Sequence, residues 1–175
     1  MNEILNAIRT RRSCRAYTPE MPPRDLIDQI CEAGTYAASG MGRQPCRIVA
    51  VTDKALRDRL SAMNGAIMGK DASFDPFYGA PVVLIVLADR TAPTYLYDGS
   101  LVMGDLMLAA HAVGLASCWI HRAKEEFESE EGKAILRGLG IEGDYEGIGH
   151  CVVGYPAAPA REAAPRKEGF IVRKD

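Results

Sequence analysis

Residues 98–113 are apolar around nearly the whole circumference of the helix that their pattern predicts. Leucine, methionine, alanine and other small residues fill almost every position of the run SLVMGDLMLAAHAV. A helix of this kind has to be buried on all sides. A chain of 175 residues corresponds to one domain of ordinary size, which has few other elements available to surround such a helix. The sequence therefore predicts that a partner subunit covers part of it.

The clearest strand lies at 82–88, where VVLIVLA is apolar on both faces. Such a strand is typical of the centre of a sheet that is covered on both sides. Helices come first along the chain and then alternate with strands, which indicates an α/β or α+β domain. Three helices are predicted to start at an Asn2 cap, near Pro23 and at an Asp53 cap, and a fourth is predicted over 124–139. Further strands are predicted at 47–52, 116–121 and 148–155. Residues 64–79 are predicted to be mostly loop. We expect one domain over 1–175, with 156–175 as a C-terminal arm.

The composition excludes several classes of protein. The apolar share of 47% and the charged share of 25% are ordinary for a soluble globular protein. A net charge of −2 argues against a general nucleic-acid-binding protein. Five scattered cysteines without a CxxC pair favour a reducing, cytoplasmic environment. We find neither a signal peptide in the first residues nor an apolar run of membrane-spanning length, so we expect no membrane association.

Five consecutive residues near the N-terminus, Arg11-Arg12-Ser13-Cys14-Arg15, carry three guanidinium groups and a hydroxyl. Their crowded like charges would be stabilised by an anion, because arginine presents a planar fork of donors that matches phosphate or carboxylate. The alternative is a solvated basic turn at a helix end, where positive charge also suits the helix dipole. The pentapeptide alone favours the second interpretation.

No ordinary catalytic arrangement is visible. His111 lies within the apolar 98–113 segment, as expected of a core histidine, and His150 stands beside Cys151 without a third member at a recognisable spacing. The histidines and cysteines are too dispersed for a metal signature, and the chain has no GxSxG, GxGxxG or P-loop motif. If the protein is an enzyme, a cofactor carries out the difficult chemistry.

Several short motifs then occur together in the order and spacing of a known family. They are Arg11-Arg12-Ser13-x-Arg15, Ala38-Ser39-Gly40-Met41-Gly42-Arg43-Gln44-Pro45, Gly79-Ala80-Pro81, Gly114-Leu115-Ala116-Ser117-Cys118-Trp119, Gly154-Tyr155-Pro156 and Pro165-Arg166-Lys167. Together they cover nearly the whole chain, which resembles the nitroreductase family of FMN-dependent oxidoreductases. The resemblance implies an α+β sandwich, in which helices flank a mainly antiparallel central sheet, and a homodimer with two FMN sites at its interface.

The resemblance also implies which residues contact FMN. Arg11 and Ser13 would hold the phosphate, with further contacts from Arg12. Arg15 would reach the N1/O2 edge of the isoalloxazine ring, where a cation favours the negatively charged reduced flavin. The backbone that approaches the ring nitrogen N5 would be that of Ile120, His121 and Arg122.

Two more regions would complete the implied site. The loop residues that close over the flavin from the partner subunit would be Ala38, Ser39, Gly40 and Met41. Gln44 would face the ring in its own subunit's site or support that loop. Arg166 and Lys167 would return from the C-terminus to the phosphate. With the resemblance taken into account, phosphate binding is favoured over a solvated turn as the interpretation of the basic stretch 11–15.

The family's activity would follow from the flavin. NADH or NADPH would deliver a hydride to FMN and leave, and a small acceptor such as a nitroaromatic or a quinone would then take the electrons, in a ping-pong reaction. The alternative is a flavin-binding redox or regulatory protein, or a family member with other FMN chemistry. The chain departs from the family pattern at Gly42, Cys46 and Ala164. Lys70 and Asp71 stay candidate contacts only.

The end of the chain supports a separate prediction. A proline- and alanine-rich connector, which cannot form a helix, leads to the short apolar run Phe170-Ile171-Val172. Such a run is too short to be stable alone, and it could add to the edge of the partner's sheet. The alternative is a frayed terminus.

Overall fold

A four-stranded antiparallel sheet forms the centre of the structure, a computed structural model that describes residues 2–175. Its strands are β1 (Cys46–Val51), β2 (Val82–Asp89), β3 (Ala116–Ile120) and β4 (Tyr145–Gly154), in the spatial order β1-β2-β4-β3. Every residue from 82 to 88 is buried, and β2 is hydrogen-bonded to β1 on one side and to β4 on the other. The predicted α+β class and the central position of the 82–88 strand are therefore confirmed.

Six helices surround this sheet in the described part of the chain. They are α1 (Glu3–Thr10), α2 (Arg24–Thr35), α3 (Lys54–Ile67), α4 (Tyr95–Ala112), α5 (Ala123–Glu128) and α6 (Glu130–Gly138). Both predicted side-chain caps are present. The side chain of Asn2 accepts hydrogen bonds from the backbone of Ile4 and Leu5, and that of Asp53 accepts one from Leu56. These bonds satisfy amide groups that the first helical turn leaves without partners.

Several predicted elements differ from the structure in their bounds; α4, for example, begins at Tyr95 rather than at residue 98. The single helix expected over 124–139 is two helices, because Ser129 adopts extended backbone (φ −71°, ψ 156°) and its hydroxyl caps α6 by accepting from the amide of Gly132. Helix α3 continues to Ile67, through residues that were expected to be loop. Strand β4 begins at Tyr145, three residues before the predicted start.

Apolar side chains cover the sheet on both faces. On one face Ile30 of α2 and Met103 and Leu106 of α4 pack against the even-numbered residues of β2. On the other face Leu60 of α3 and Phe127 of α5 pack against the odd-numbered residues. Alternate side chains of one continuous apolar strand thus serve two cores, because successive strand residues point to opposite faces.

Helices α1 and α4 leave apolar surface exposed. On α1, the side chains of Ile4, Leu5 and Ile8 are 65%, 52% and 55% exposed. On α4, Leu106 belongs to the chain's own core, whereas Leu101 is half exposed. His111 is not in the core as expected: it lies half-buried near the end of α4, with its Nε2 2.8 Å from the hydroxyl of Thr10. The single chain therefore covers only part of the apolar 98–113 segment.

The C-terminal arm runs over the surface. Its first residues are held by a bridge between Tyr17 and Pro156 and by a hydrogen bond from Ala157 to the carbonyl of Ala16. Beyond them every residue is exposed, including Val172 at 88%. Within the described part of the chain, no residue buries the apolar run at its end, whose side chains are 69–88% exposed. Among residues 2–175, no helix has the length and apolar character needed to cross a membrane.

Candidate functional site

A cleft of about 180 Å³ lies at the end of β3. It is lined by Arg15, Met68, Phe74, Pro76, Tyr78, Cys118, Trp119, Ile120, His121 and Arg122. Four of these residues are among the predicted FMN contacts, and they come from two segments that are more than a hundred positions apart in the chain. The antiparallel sheet brings them together because β3 ends where the basic stretch passes.

Backbone contacts hold the basic stretch beside β3. Ser13 forms a parallel bridge with Ser117, and the amide of Cys14 donates to the carbonyl of Ser117 at 2.9 Å. This pairing extends the β3 edge by one short segment. The side chains that flank Cys14 are thereby held close to the first residues of β3.

The pKa of the Cys118 thiol is affected by the charged residues around it. Burial raises its pKa, while the positive charges of Arg15 and Arg11 and a hydrogen bond from Ser13 act in the opposite direction. Three predicted contacts of an anionic cofactor thus converge on one buried position of β3. Arg11 and Arg15 therefore place positive charge near this position of β3.

Two arginines of the stretch have buried donor atoms without a partner. The Nη1 atom of Arg11 and the Nε atom of Arg12 make no hydrogen bond within the described residues. Arg12 uses its Nη1 locally, donating to the carbonyls of Arg9 and Arg11 at the end of α1. Leaving a buried charged donor unpaired is costly, so an anion beside Arg11 fits this site. Phosphate matches the geometry of guanidinium donors well.

The turn after β3 has an unusual backbone. Arg122 has a φ of 77° and a ψ of 8°, the left-handed backbone conformation that residues other than glycine rarely adopt. His121 is exposed, and its carbonyl accepts a hydrogen bond from Asn64 at 2.9 Å. Tyr78, on the opposite segment of the cleft, also has a positive φ of 55°. Such strained residues persist only where surrounding contacts hold them, and they cluster at functional sites.

The loop that was expected to cover the flavin lies elsewhere in the single chain. Ala38, Ser39 and Gln44 line a second cavity of about 350 Å³ between α2, β1 and α4, which shares no residue with the cleft. Met41 and Gln44 have positive φ values of 56° and 49°, and the hydroxyl of Ser39 accepts from the amide of Gln44. The amide of Gly40 donates to the buried carboxylate of Asp98. The loop therefore has a defined, strained shape without touching the cleft of its own chain.

The cavity beside this loop contains two cysteines. Burial raises the pKa of both Cys31 and Cys46 to about 11. Both thiols are therefore protonated at neutral pH, where only the thiolate is a strong nucleophile. Among residues 2–175, no cluster of three or more histidine, cysteine or acidic side chains is arranged to hold a metal ion.

The remaining predicted contacts lie in the exposed arm. Arg166 donates to the carbonyl of Ala164 at 2.6 Å, and both Arg166 and Lys167 are exposed. Neither lines the cleft of its own chain. Their assignment to the phosphate stays a prediction.

Sequence reasoning missed a buried polar cluster behind the cleft. Asn64, Glu126 and His150 are fully buried, and Nε2 of His150 lies 2.7 Å from Oε2 of Glu126. In the sequence, the pair His150 and Cys151 has no third member at a recognisable spacing, so Glu126 was not identified as a partner of His150. A signal was present in the sequence, because Arg57, Ser61 and Asn64 place polar groups on the same side of α3 as the apolar Leu60. Polar side chains on a buried helix face require partners, which here lie far away in the chain.

Comparison with known proteins gives the family. Residues 8–155 match the model of the Nitroreductase family. The chain belongs to this family. A provisionally named NADH dehydrogenase/NAD(P)H nitroreductase of Methanothermobacter thermautotrophicus is 30% identical over 123 residues, which are 67% of this chain and 60% of that protein. The chain thus spans less than two thirds of the length of this family relative.

Two solved structures of the family extend the likeness to the whole chain. A nitroreductase with bound FMN from Bacteroides fragilis is 28% identical, superimposes with a TM-score of 0.89 and is matched over 100% of both chains. A nitroreductase with bound FMN from Desulfitobacterium hafniense is 28% identical, with a TM-score of 0.87 over 99% of this chain and 100% of that one. The predicted family and its fold are confirmed.

Proposed function

We propose that this nitroreductase-family chain is an FMN-dependent oxidoreductase that uses NADH or NADPH. The observation that carries the proposal is the unpaired, buried Nη1 of Arg11, which belongs to the same basic stretch as Arg15 on the wall of the cleft. A ligand that pairs with the Arg11 donor and also fills the cleft has to combine an anionic group with a larger group such as a ring system. FMN, which is bound in the two related structures, has this form.

The basic stretch would bind the two ends of the cofactor. Arg11 and Ser13 would hold the phosphate, because guanidinium and hydroxyl groups donate to its oxygens. Arg12 would contribute mainly through backbone, since its Nη1 already donates to two carbonyls. Arg15 would lie at the ring's N1/O2 edge, where its charge stabilises negative charge. The exposed Arg166 and Lys167 would add to the phosphate site.

The turn at the end of β3 would form the other wall. Ile120 is buried, and Ile120, His121 and Arg122 all line the cleft. Their peptide groups would contact the ring near N5. When bound, FMN supplies the hydride-transfer chemistry, and the chain's contribution is to bind, orient and electrostatically tune it.

A second copy of the chain would complete each site. Ile4, Leu5 and Ile8 of α1 and Leu101 of α4 are exposed apolar side chains, whose contact with water is unfavourable. In the homodimer these side chains would be buried, as the apolar 98–113 segment predicts. The loop residues Ala38, Ser39, Gly40 and Met41 would then reach the partner's flavin, and Gln44 would support the loop through its bond to Ser39.

The electron donor and acceptor follow from the same site. The Methanothermobacter relative carries NAD(P)H nitroreductase in its name. We propose that the nicotinamide and a small planar acceptor, such as a nitroaromatic or a quinone, use the same cleft in turn. Two reactants that share one site have to bind one after the other, which gives a ping-pong reaction. Free cysteines at all five positions fit a reducing cytoplasm.

The test is a spectrum followed by reduction. Purified protein should carry the visible absorption of oxidised FMN, and NADH or NADPH should bleach it in the absence of oxygen. A nitroaromatic or a quinone should then restore it. FMN that is bound but is reduced by neither nucleotide would instead favour the flavin-binding redox or regulatory protein. Failure to bind FMN would refute the proposal.

A further inference from the structure

A chain of buried polar side chains runs behind the turn at the end of β3. Asn64 of α3, Glu126 of α5 and His150 of β4 are each 0% exposed. The side-chain amide of Asn64 donates to one carboxylate oxygen of Glu126, and the other oxygen lies 2.7 Å from Nε2 of His150. Burying three polar groups is unfavourable unless each is hydrogen-bonded. None of the three is among the proposed FMN contacts.

Asn64 connects this chain to the turn itself. Its Nδ2 also donates to the carbonyl of His121 at 2.9 Å, and its Oδ1 accepts from Nε of Arg122 at 2.9 Å. One side-chain amide thus holds the backbone of one turn residue and the side chain of the next. Both of these residues line the cleft.

The turn needs such support. The left-handed backbone of Arg122 is unfavourable for a residue with a side chain, because its Cβ comes too close to the following carbonyl oxygen. Its carbonyl accepts from the amide of Glu126 at 3.1 Å, at the start of α5. The same helix therefore holds the turn through its backbone and, through Glu126 and Asn64, by side chains.

The tautomer of His150 determines which hydrogen bonds the Glu126 carboxylate accepts. The Nδ1 atom of His150 is buried without a partner, and its ring lies edge-on to Phe77 and Phe127 at 5.2 and 6.0 Å between centroids. An unfilled acceptor is more easily tolerated than an unfilled N–H donor. This favours the tautomer with hydrogen on Nε2, which donates to the carboxylate of Glu126. The carboxylate then accepts from both neighbours and keeps the Asn64 amide oriented with its oxygen toward Arg122.

We infer that Asn64, oriented by Glu126 and His150, is a positioning residue for the flavin. It holds the His121 peptide and the Arg122 cation at the wall of the cleft, and this arrangement raises the flavin's reduction potential. A cation held near the ring favours the reduced flavin, and a mobile one is screened by water. The inference rests on the proposed function, because it concerns the same FMN site.

The experiment compares variants as FMN-loaded proteins. Asn64→Leu and Asn64→Ser remove the side-chain amide. His150→Leu removes the hydrogen-bond donor to Glu126, whereas His150→Gln replaces that donor with an amide N–H. Glu146→Gln is the matched control. Glu146 of β4 is also a buried carboxylate, but it is bonded to Arg90 and Tyr95, and none of these three residues lines the cleft. The flavin midpoint potential, the visible spectrum and the melting temperature are measured for each variant.

We expect the three amide- or donor-removing variants to have more negative midpoint potentials and altered flavin spectra. His150→Gln should lie close to the wild type in both, and Glu146→Gln should lower the melting temperature without moving the potential. Lower melting temperatures with unchanged potentials would make the cluster merely structural and overturn the inference. An equal shift in Glu146→Gln would also overturn it. If the wild type binds no FMN, the proposed function fails before any variant is compared.

Discussion

The carboxylate of Asp98 accepts a hydrogen bond from the backbone amide of Gly40 at 3.0 Å, and this bond joins α4 to the 38–45 loop. Its second oxygen accepts from the hydroxyl of Thr94 at 2.8 Å. A Cβ on Gly40 would lie 2.3 Å from that hydroxyl, so only glycine allows this approach. The helix proposed to form the dimer interface thus also holds the loop proposed to cover the partner's flavin.

Replacing Asp98 by alanine should therefore weaken FMN binding although Asp98 is not a proposed FMN contact. Loss of the bond releases a loop with two left-handed residues, and a buried hydrogen bond of this kind contributes about 1–3 kcal/mol. Asp98→Asn is the control, because its amide oxygen can still accept from Gly40. Fluorescence titration of FMN measures both. Equal affinities for the two variants would show that the bond does not govern the loop.

Arg11 and Arg15 should differ in what they do to the flavin. Arg11→Ala should chiefly weaken FMN affinity, by roughly 1.5–3 kcal/mol, because it removes a charged donor to the phosphate. Arg15→Ala should also make the flavin harder to reduce. Titrations and midpoint potentials of both variants separate the two effects. An unchanged potential in Arg15→Ala would contradict its place at the ring.

Leu108→Asp should dissociate the proposed homodimer. Leu108 is half-buried and lines a groove between α1 and α4 with Ile4, whereas Leu106 is fully buried in the chain's own core and would report only on folding. A charge buried in an apolar interface without a partner is strongly unfavourable. Leu139→Asp, at an exposed position after α6, is the control. Sedimentation should show that the Leu139→Asp control is a dimer and that Leu108→Asp is a monomer that has lost flavin. A wild-type protein that sediments as a monomer with FMN fully bound would refute the dimer.

Truncation after Pro165 should lower both FMN affinity and dimer stability. The removed segment contains Arg166 and Lys167 and the run Phe170-Ile171-Val172, whose apolar side chains are 69–88% exposed in the single chain. Exposed apolar residues at this end of the arm are expected to pack on the partner. FMN titration and concentration-dependent sedimentation measure the two effects. A truncated protein that keeps both properties would have lost only a frayed terminus.

Asp75 should make the protein sensitive to acid. Burial raises its pKa, but hydrogen bonds from Arg57 and Ser61 and from the amides of Gly79 and Phe77 together bring the pKa below its usual value. The stabilisation is therefore fully present above about pH 4 and is lost as the pH falls through the lowered pKa. Asp75→Asn should be less stable at neutral pH and lose less stability in acid. Denaturant unfolding between neutral and acidic pH would show parallel curves if Asp75 had no such role.

Local patterns in the sequence were sufficient for much of the fold. The Asn2 and Asp53 caps and the 82–88 strand depend on neighbouring residues, and the structure confirms all three. The break at Ser129 was missed because the residues on either side share one charged, helical pattern. A single extended residue that caps the next helix changes that pattern very little.

The sequence by itself identified the family through its short motifs, and the resemblance to that family implied the mainly antiparallel α+β class and the basic stretch as the candidate anion site. Only the tertiary structure decided that Arg15 and Arg122 line one cleft, and that Asn64 and His150 both bond to Glu126. The physical reason is the range of the interactions. Caps and hydrophobic periodicity act between near neighbours, whereas a buried polar group is satisfied by whichever partner the packed sheet and helices bring to it.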